Sequence, residues 1–276
     1  MPRLNYRITK EEPTKTVKAF LDFHHVGRKK QYKCMLAGIY RNDQKVTLDE
    51  PLEPNDFISF ELESDMDYKR VDKPIVVLYE DEDLLIVDKP IGLLVHTDGI
   101  QSDDLNARVT SYAILNKFDW IPLPAHRLDK DTSGMVIYAK HPIALTYLSH
   151  LFESHQIKKT YIALTQPGYK QKQGSINVAI SNSRHEDKQI VNRSGQSAHT
   201  TYKVLEESEI ARVLVNILGG RKHQIRVHLA FIGTPILGDT LYGGKPYTRL
   251  ALHFHEVSFI HPRTHQAVVF TSKVPF

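Results

Sequence analysis

Ala125-His126-Arg127-Leu128-Asp129-Lys130-Asp131-Thr132-Ser133-Gly134 is a polar run between a proline-rich approach, Ile121-Pro122-Leu123-Pro124, and an apolar run of strand character, Met135-Val136-Ile137-Tyr138-Ala139. Polar residues set immediately before a buried strand form a loop on a rigid scaffold, a common place for catalytic groups. Arg127 and Lys130 flank Asp129 and would favour its ionised form through opposite charge. Asp131, Thr132 and Ser133 are equally the residues of a capped surface turn. By its own residues the run balances a catalytic carboxylate against such a turn, and its neighbours in the chain decide.

Downstream, Phe152–Lys159 reads as a helix end and a basic turn, opening into a strand at Tyr161-Ile162-Ala163-Leu164-Thr165. A lone tyrosine in a strand is usually a packing residue. Further on, Ala211–Leu218 reads as a strand that enters the turn Gly219-Gly220 and then a helix with Ile225, Leu229 and Ile232 on one face. Glycines allow close backbone approach, and a helix start carrying Arg221, Lys222 and His223 is a ready anion site. The spacing of a phosphate-binding NTPase loop is absent. Arg221 and Lys222 would also serve as ordinary surface cations. Arg226, beside the packing face, fits that reading less well.

Upstream, Val76–Tyr79 and Leu84–Val87 are strands joined by the acidic turn Glu80–Asp83, and Lys89-Pro90-Ile91-Gly92 is a turn. Helical spacing is present in Ala107–Lys117 and Ala144–Ser154, and a further strand in Tyr202–Leu205. The first seventy or so residues form a smaller unit: a helix at Thr16–Phe23, a second ending at Gly38, a hairpin of Ile39–Arg41 with Val46–Leu48, and a strand at Phe57–Glu61. The acidic stretch Glu63–Asp72 reads as a linker. Arg28, Lys29, Lys30 and Lys33 place four cations in one short run. Taken alone, that run is better read as a solvated helix face.

The chain has 276 residues, 41% hydrophobic and 25% charged, an ordinary globular composition with room for a large core and a small appended domain. A net charge of +4 permits nucleic-acid binding without demanding it. One cysteine, Cys34, excludes an internal disulfide framework and suits a reducing cytosol. No apolar run is long enough for a membrane helix, and the first residues lack the apolar core of a signal peptide, so the expected location is cytoplasmic. Fifteen histidines raise the question of a metal. His253, His255, His261 and His265 fall close together, but at no usual zinc spacing, so a metal-dependent hydrolase is the weaker class.

Several motifs then occur in order: Tyr79-Glu80-Asp81 through Lys89-Pro90-x-Gly92, His126-Arg127-Leu128-Asp129 with Thr132-Ser133-Gly134, Lys159-x-Tyr161, and Gly220-Arg221-x-His223-Gln224-Ile225-Arg226-x-His228. Together they resemble the RluA-type pseudouridine synthases over roughly Ile75 to Phe276, with Gly238-Asp239, Tyr242-Gly243 and Leu252-His253 in the family's places. The helix-then-hairpin order of the first residues resembles the S4 RNA-binding fold. Two departures stand out. Gly195-Gln196-Ser197-Ala198-His199-Thr200 lacks a lysine that the family often has, and Leu252-His253-Phe254 replaces a frequent Leu-His-Ala.

The resemblance implies an α+β fold: a pseudouridine synthase core, residues 73–276, with a mixed, largely antiparallel sheet flanked by helices around a central cleft, and an S4-like α/β module with its linker, residues 1–72. It implies uridine-to-pseudouridine isomerisation in RNA, without cofactor or metal. Asp129 would act at the ribose, either attacking C1′ or removing the C2′ proton, and Arg226 would pair with Asp129. Tyr161 would stack on the target uracil. His126, Arg127, Lys159, Arg221, Lys222 and His223 would contact the surrounding RNA, joined by Arg28, Lys29, Lys30 and Lys33 of the N-terminal module. Ribosomal RNA is the expected partner, with transfer RNA second and no obligate protein partner or membrane. An inactive S4-type RNA-binding protein is the non-enzymatic alternative.

Overall fold

The computed structural model describes residues 2–9, 15–63, 69–97, 103–183 and 188–276. Part of the expected linker, residues 64–68, lies outside them.

The N-terminal part is a four-stranded sheet with two helices. Strand β1 (Arg3–Arg7) buries Leu4 and Tyr6 in strict alternation with three exposed polar residues. It pairs antiparallel with β4 (Phe57–Glu61). Helix α1 (Val17–Phe23) begins where Ala19 N–H donates to Thr16 Oγ1 at 3.1 Å, and buries Val17, Phe20 and Leu21. Helix α2 (Arg28–Ala37) buries only Gln31 and Cys34, which leaves Arg28, Lys29, Lys30 and Lys33 exposed. The hairpin strand after β2 (Ile39–Arg41) is β3 at Gln44–Lys45, earlier than the expected Val46–Leu48. The reason is the turn: Asn42 and Asp43 both take positive φ (48° and 67°), as a two-residue hairpin turn requires, and this fixes Arg41 opposite Gln44.

The larger part runs β5 (Val76–Glu80), β6 (Leu84–Lys89), α3 (Leu105–Leu115), β7 (Leu123–Pro124), β8 (Ser133–Ala139), α4 (Pro142–Glu153) and β9 (Lys158–Thr165). It continues through β10 (Gln173–Ile176), β11 (Ile180–Asn182), β12 (Gln189–Val191), β13 (His199–Glu207), β14 (Ala211–Leu218), α5 (Gln224–Phe231), β15 (Leu252–Ile260) and β16 (Ala267–Thr271). Its ten-stranded sheet has the order β10-β13-β14-β9-β15-β8-β6-β5, with β16 on β15 and β7 on β8. Every pairing is antiparallel except β15 with β8. The fold is α+β, with a mixed, largely antiparallel sheet.

Strand β8 is buried at all seven positions, as a central strand covered on both faces must be. Helix α4 starts on a His141 cap with Pro142 in its first turn, and lays Ile143, Ala144, Tyr147, Leu148 and Leu151 inward. In α3, Asp104 accepts from Ala107 N–H at 2.7 Å and from Thr97 N–H at 2.8 Å, capping the helix and holding the segment before it. Trp120 and Ile143 of the larger part join the N-terminal apolar cluster. Among the described residues no helix is long and apolar enough to cross a membrane.

The parallel pairing is short, with His253 opposite Ser133 and Phe254 opposite Gly134, and it sets the start of β8 against β15. Gly134 has φ +117°, and a Cβ there would lie 2.4 Å from the Phe254 carbonyl oxygen. Gly134→Ala is therefore expected to destabilise the fold by more than about 3 kcal/mol, a drop of roughly 6–12 °C in Tm by thermal melting. A change below 2 °C would show that β15 can move aside.

Candidate active site

Asp129 is carried in the loop entering β8, which is anchored from beneath. Lys89, at the end of β6 and fully buried, donates from Nζ to the carbonyls of Leu93 (2.7 Å), Lys130 (2.9 Å) and Pro90 (3.0 Å). Gly92 N–H donates to the same Lys130 carbonyl at 2.9 Å. The Lys-Pro-x-Gly turn thus holds the peptide next to Asp129. Burial lowers the Lys89 pKa to about 8, and the nearby charges of Asp131 and Asp129 oppose that shift.

A cavity of about 700 Å³ opens over this loop. Among the described residues Asp129 is the only carboxylate that lines it, and Arg127, Lys130, Arg221, Lys222 and Arg226 supply five cations. Leu94, Leu128, Ile217, Ile225 and Leu252 form an apolar floor, beside Tyr161. Such a site admits one flat apolar ring and surrounds it with anion-holding groups.

Tyr161 lies across from Phe254 in the β9–β15 register, and their rings stack at 4.7 Å and 15°. Phe254, the departure from Leu-His-Ala, therefore backs the tyrosine from inside the sheet. Burial, together with the negative charge of Asp129, pushes the Tyr161 phenol well above its ordinary range, so it stays protonated.

Helix α5 delivers the remaining groups. His223 precedes it with φ 56° and contacts the Tyr242 hydroxyl at 3.0 Å. Gln224 donates from Nε2 to the His199 carbonyl at 2.9 Å and its Oε1 accepts from Arg221 N–H at 3.0 Å, pinning the helix start onto β13. Arg226 was expected to pair with Asp129. It instead donates from Nε and Nη2 to the two oxygens of Asp239, both at 2.8 Å. Asp239, at the start of the short turn Thr240–Tyr242, presents both oxygens to the guanidinium fork. Burial opposes the Arg226 charge, while Asp239 and then Asp129 hold its pKa up. Among the described residues the Asp129 carboxylate has no cation within 4.0 Å.

Arg127, Arg221, Lys222 and His223 line the cleft with Asp129, Tyr161 and Arg226. Two expected RNA contacts do not. The His126 ring sits between Phe152 (4.9 Å) and Phe254 (5.7 Å), and its Nε2 accepts from Ile137 N–H at 3.1 Å. Burial first, then the charge of Lys159, lowers its pKa to about 3, so the ring is neutral and cannot hold a phosphate. Lys159 is buried, donates to the Gly219 carbonyl, and has a pKa lowered to about 8 by burial. It fastens the glycine turn that leads to Arg221. The four cations of α2 lie on the N-terminal part, outside the cleft.

The C-terminal histidines are committed separately. His253 bridges Ser133 (2.8 Å) and Ser272 (2.9 Å), His255 contacts the Ser272 carbonyl, and His261 contacts Asp81 at 2.7 Å. Among the described residues no three metal-binding side chains gather.

Residues 83–231 match the family model described as RNA pseudouridylate synthase. The chain belongs to that family. It is 37% identical over 208 residues to an uncharacterized RNA pseudouridine synthase of Bacillus subtilis, covering 72% of this chain and 68% of that protein. It is 32% identical over 240 residues to ribosomal large subunit pseudouridine synthase D of Vibrio cholerae, covering 79% of this chain and 73% of the relative. Among solved structures, human RNA pseudouridylate synthase domain containing 4 aligns with a TM-score of 0.60 at 26% identity, over 72% of this chain and 88% of that one. Human RNA pseudouridylate synthase domain containing 1 shares the fold, with a TM-score of 0.62 at 23% identity over 76% and 87% of the two chains. This synthase isomerises uridine to pseudouridine in RNA.

Proposed function

We propose that the synthase modifies uridine in ribosomal RNA, with Asp129 acting on the ribose of a nucleotide turned out of its stack. The observation that carries the catalytic part is the one carboxylate that lines the cleft among the described residues, in company with Tyr161 and five cations. The reaction breaks the N1–C1′ bond, turns the uracil, and joins C1′ to C5, the C5 proton leaving as N1 takes one up. Asp129 serves either by attacking C1′ or by taking the C2′ proton, and both need an ionised carboxylate at the sugar. Tyr161, backed by Phe254 and lining the cleft, stacks on the detached uracil in this reading. Extrusion of the uridine costs least in loops and bulges. Arg127, Arg221 and Lys222, which line the cleft, hold the phosphates of flanking nucleotides in this reading. Arg226 contributes through its field at the cleft while bonded to Asp239.

Residues 1–72 act in this proposal as an S4-like RNA-binding module through the exposed face of α2, and the enzyme works on cytoplasmic RNA. Support for ribosomal RNA comes from relatives named ribosomal large subunit pseudouridine synthase D. The test uses purified protein with ribosomal and transfer RNA carrying 5-tritiated uridine. Tritium release from ribosomal RNA at least tenfold faster is the expected result. Faster release from transfer RNA would replace the target, and release from neither would overturn the reading.

A further inference from the structure

Fifteen histidines called for an explanation that the cleft does not provide. Residues 1–72 contain two, His24 and His25, and both lie where the N-terminal part meets the core. His24 follows α1, is 0% exposed, and neither ring nitrogen has a hydrogen-bond partner among the described residues. Its ring is enclosed by aromatic rings from both sides of the junction. Phe20 (4.5 Å), Tyr6 (5.4 Å) and Phe23 (5.5 Å) belong to the N-terminal part, and Tyr147 (5.8 Å) and His265 (6.0 Å) to the core. His25 stacks on His150 of α4 at 3.5 Å and 16°. Thr146 Oγ1 donates to the His24 carbonyl at 3.1 Å. Arg263 donates to the Asn5 carbonyl at 2.9 Å and lies over the Tyr6 ring at 4.2 Å.

This seam joins α1 and β1 to α4 and the turn after β15, and leaves the cationic face of α2 open to solvent. A tether would need none of it. We propose that the His24 seam locks the N-terminal module onto the core in one pose, and that this pose determines which RNAs are accepted. The role in RNA choice rests on the reading of α2 given above.

The chemistry of the seam makes the proposal measurable. A histidine with no acceptor for a second proton fits only as the neutral ring, and two stacked imidazoles cannot both be charged. The charged and titratable groups around His24 are His25 on its own segment, Tyr6 from β1, His141, Tyr147 and His150 from α4, Asp83 from the turn before β6, and Arg263 and His265 from the turn after β15. Arg263 and His141 both bond Oδ1 of Asp83, and although Oδ2 has no partner among the described residues, Asp83 makes no hydrogen bond to His24 and only partly offsets the cost of charging it. Burial above all lowers the His24 pKa to about 3 from an ordinary 6.5. The undocked ring binds its proton more readily, so docking is full above pH 6.5. It weakens about tenfold per pH unit as pH falls from there toward 3.

The experiment places spin labels on the full chain at Lys30→Cys and Leu115→Cys, both exposed, with Cys34→Ser removing the native thiol. One narrow distance is expected at pH 8, with a broad second population growing below pH 6.5. His24→Leu keeps the narrow distance to lower pH, and His24→Lys is broad throughout. A broad distance at pH 8, no change between pH 8 and 5, or the same acid midpoint in His24→Leu would overturn the docking. In parallel, His24→Lys should raise KM for a structured ribosomal RNA at least tenfold while kcat on a short stem–loop stays unchanged. A normal KM despite broadened distances would overturn the role in RNA choice. Because the distances need no RNA, failure of the docking and failure of the RNA reading are told apart.

Discussion

Asp129→Asn is expected to lower the rate of pseudouridine formation by at least about 10⁴-fold, more than 5 kcal/mol of transition-state stabilisation. The amide keeps the size and shape of the carboxylate, but it is neither a nucleophile for C1′ nor a base for the C2′ proton. Among the described residues no second acid lines the cleft to take over. Folding and RNA affinity should survive, because the half-buried Asp129 side chain holds no ion pair among the described residues and the five cations remain. Its loss should change stability by no more than about 1 kcal/mol. Single-turnover tritium release, filter binding and thermal melting separate these quantities, and Asp129→Ala should behave alike. Turnover within tenfold of wild type in either variant would remove Asp129 from the reaction. A collapse of RNA binding with unchanged chemistry on bound RNA would make it a recognition residue instead.

The parts legible in the sequence were those where one local rule suffices. Alternating or continuous apolar runs marked β6, β8, β9 and β14, and Thr16, Gly38 and the Asn42-Asp43 turn marked the ends of elements. Strand β1 is too short to register, because only two apolar residues, Leu4 and Tyr6, alternate over its five positions. The short strands β10 to β12 carry too few residues for a period to register.

In the cleft, residue identity foretold which groups gather but not what each one bonds. His126 and Lys159 were expected to face RNA because the resemblance implied it. Their burial comes from Phe152, Phe254 and the Gly219 carbonyl, partners up to 128 residues away that no spacing rule connects. Lys89 and Asp239 stood within recognised motifs, yet their roles as loop anchor and arginine holder are tertiary facts.

Arg226→Ala should fail twice, and the two failures can be pulled apart. Its side chain is 9% exposed and that of Asp239 0%, with two parallel bonds of 2.8 Å joining them. Removing the arginine strands a carboxylate in the interior, at a cost of about 3–5 kcal/mol. Lost activity in that variant would therefore say little about chemistry. The double variant Arg226→Met with Asp239→Leu removes both charges and keeps the volume, and buried pairs replaced in this way are often neutral to within about 1–2 kcal/mol. Its Tm should return close to wild type. Activity should not return, because the bonds to Asp239 occupy one edge of the guanidinium and leave Nη1 unbonded among the described residues, on a side chain that lines the cleft with Asp129. In the proposed reaction, the double variant removes that positive charge from beside Asp129. A folded double variant with at least a tenth of wild-type kcat would reduce Arg226 to a structural partner of Asp239. A folded double variant that binds RNA but does not turn over would assign the free edge of the guanidinium to the reaction.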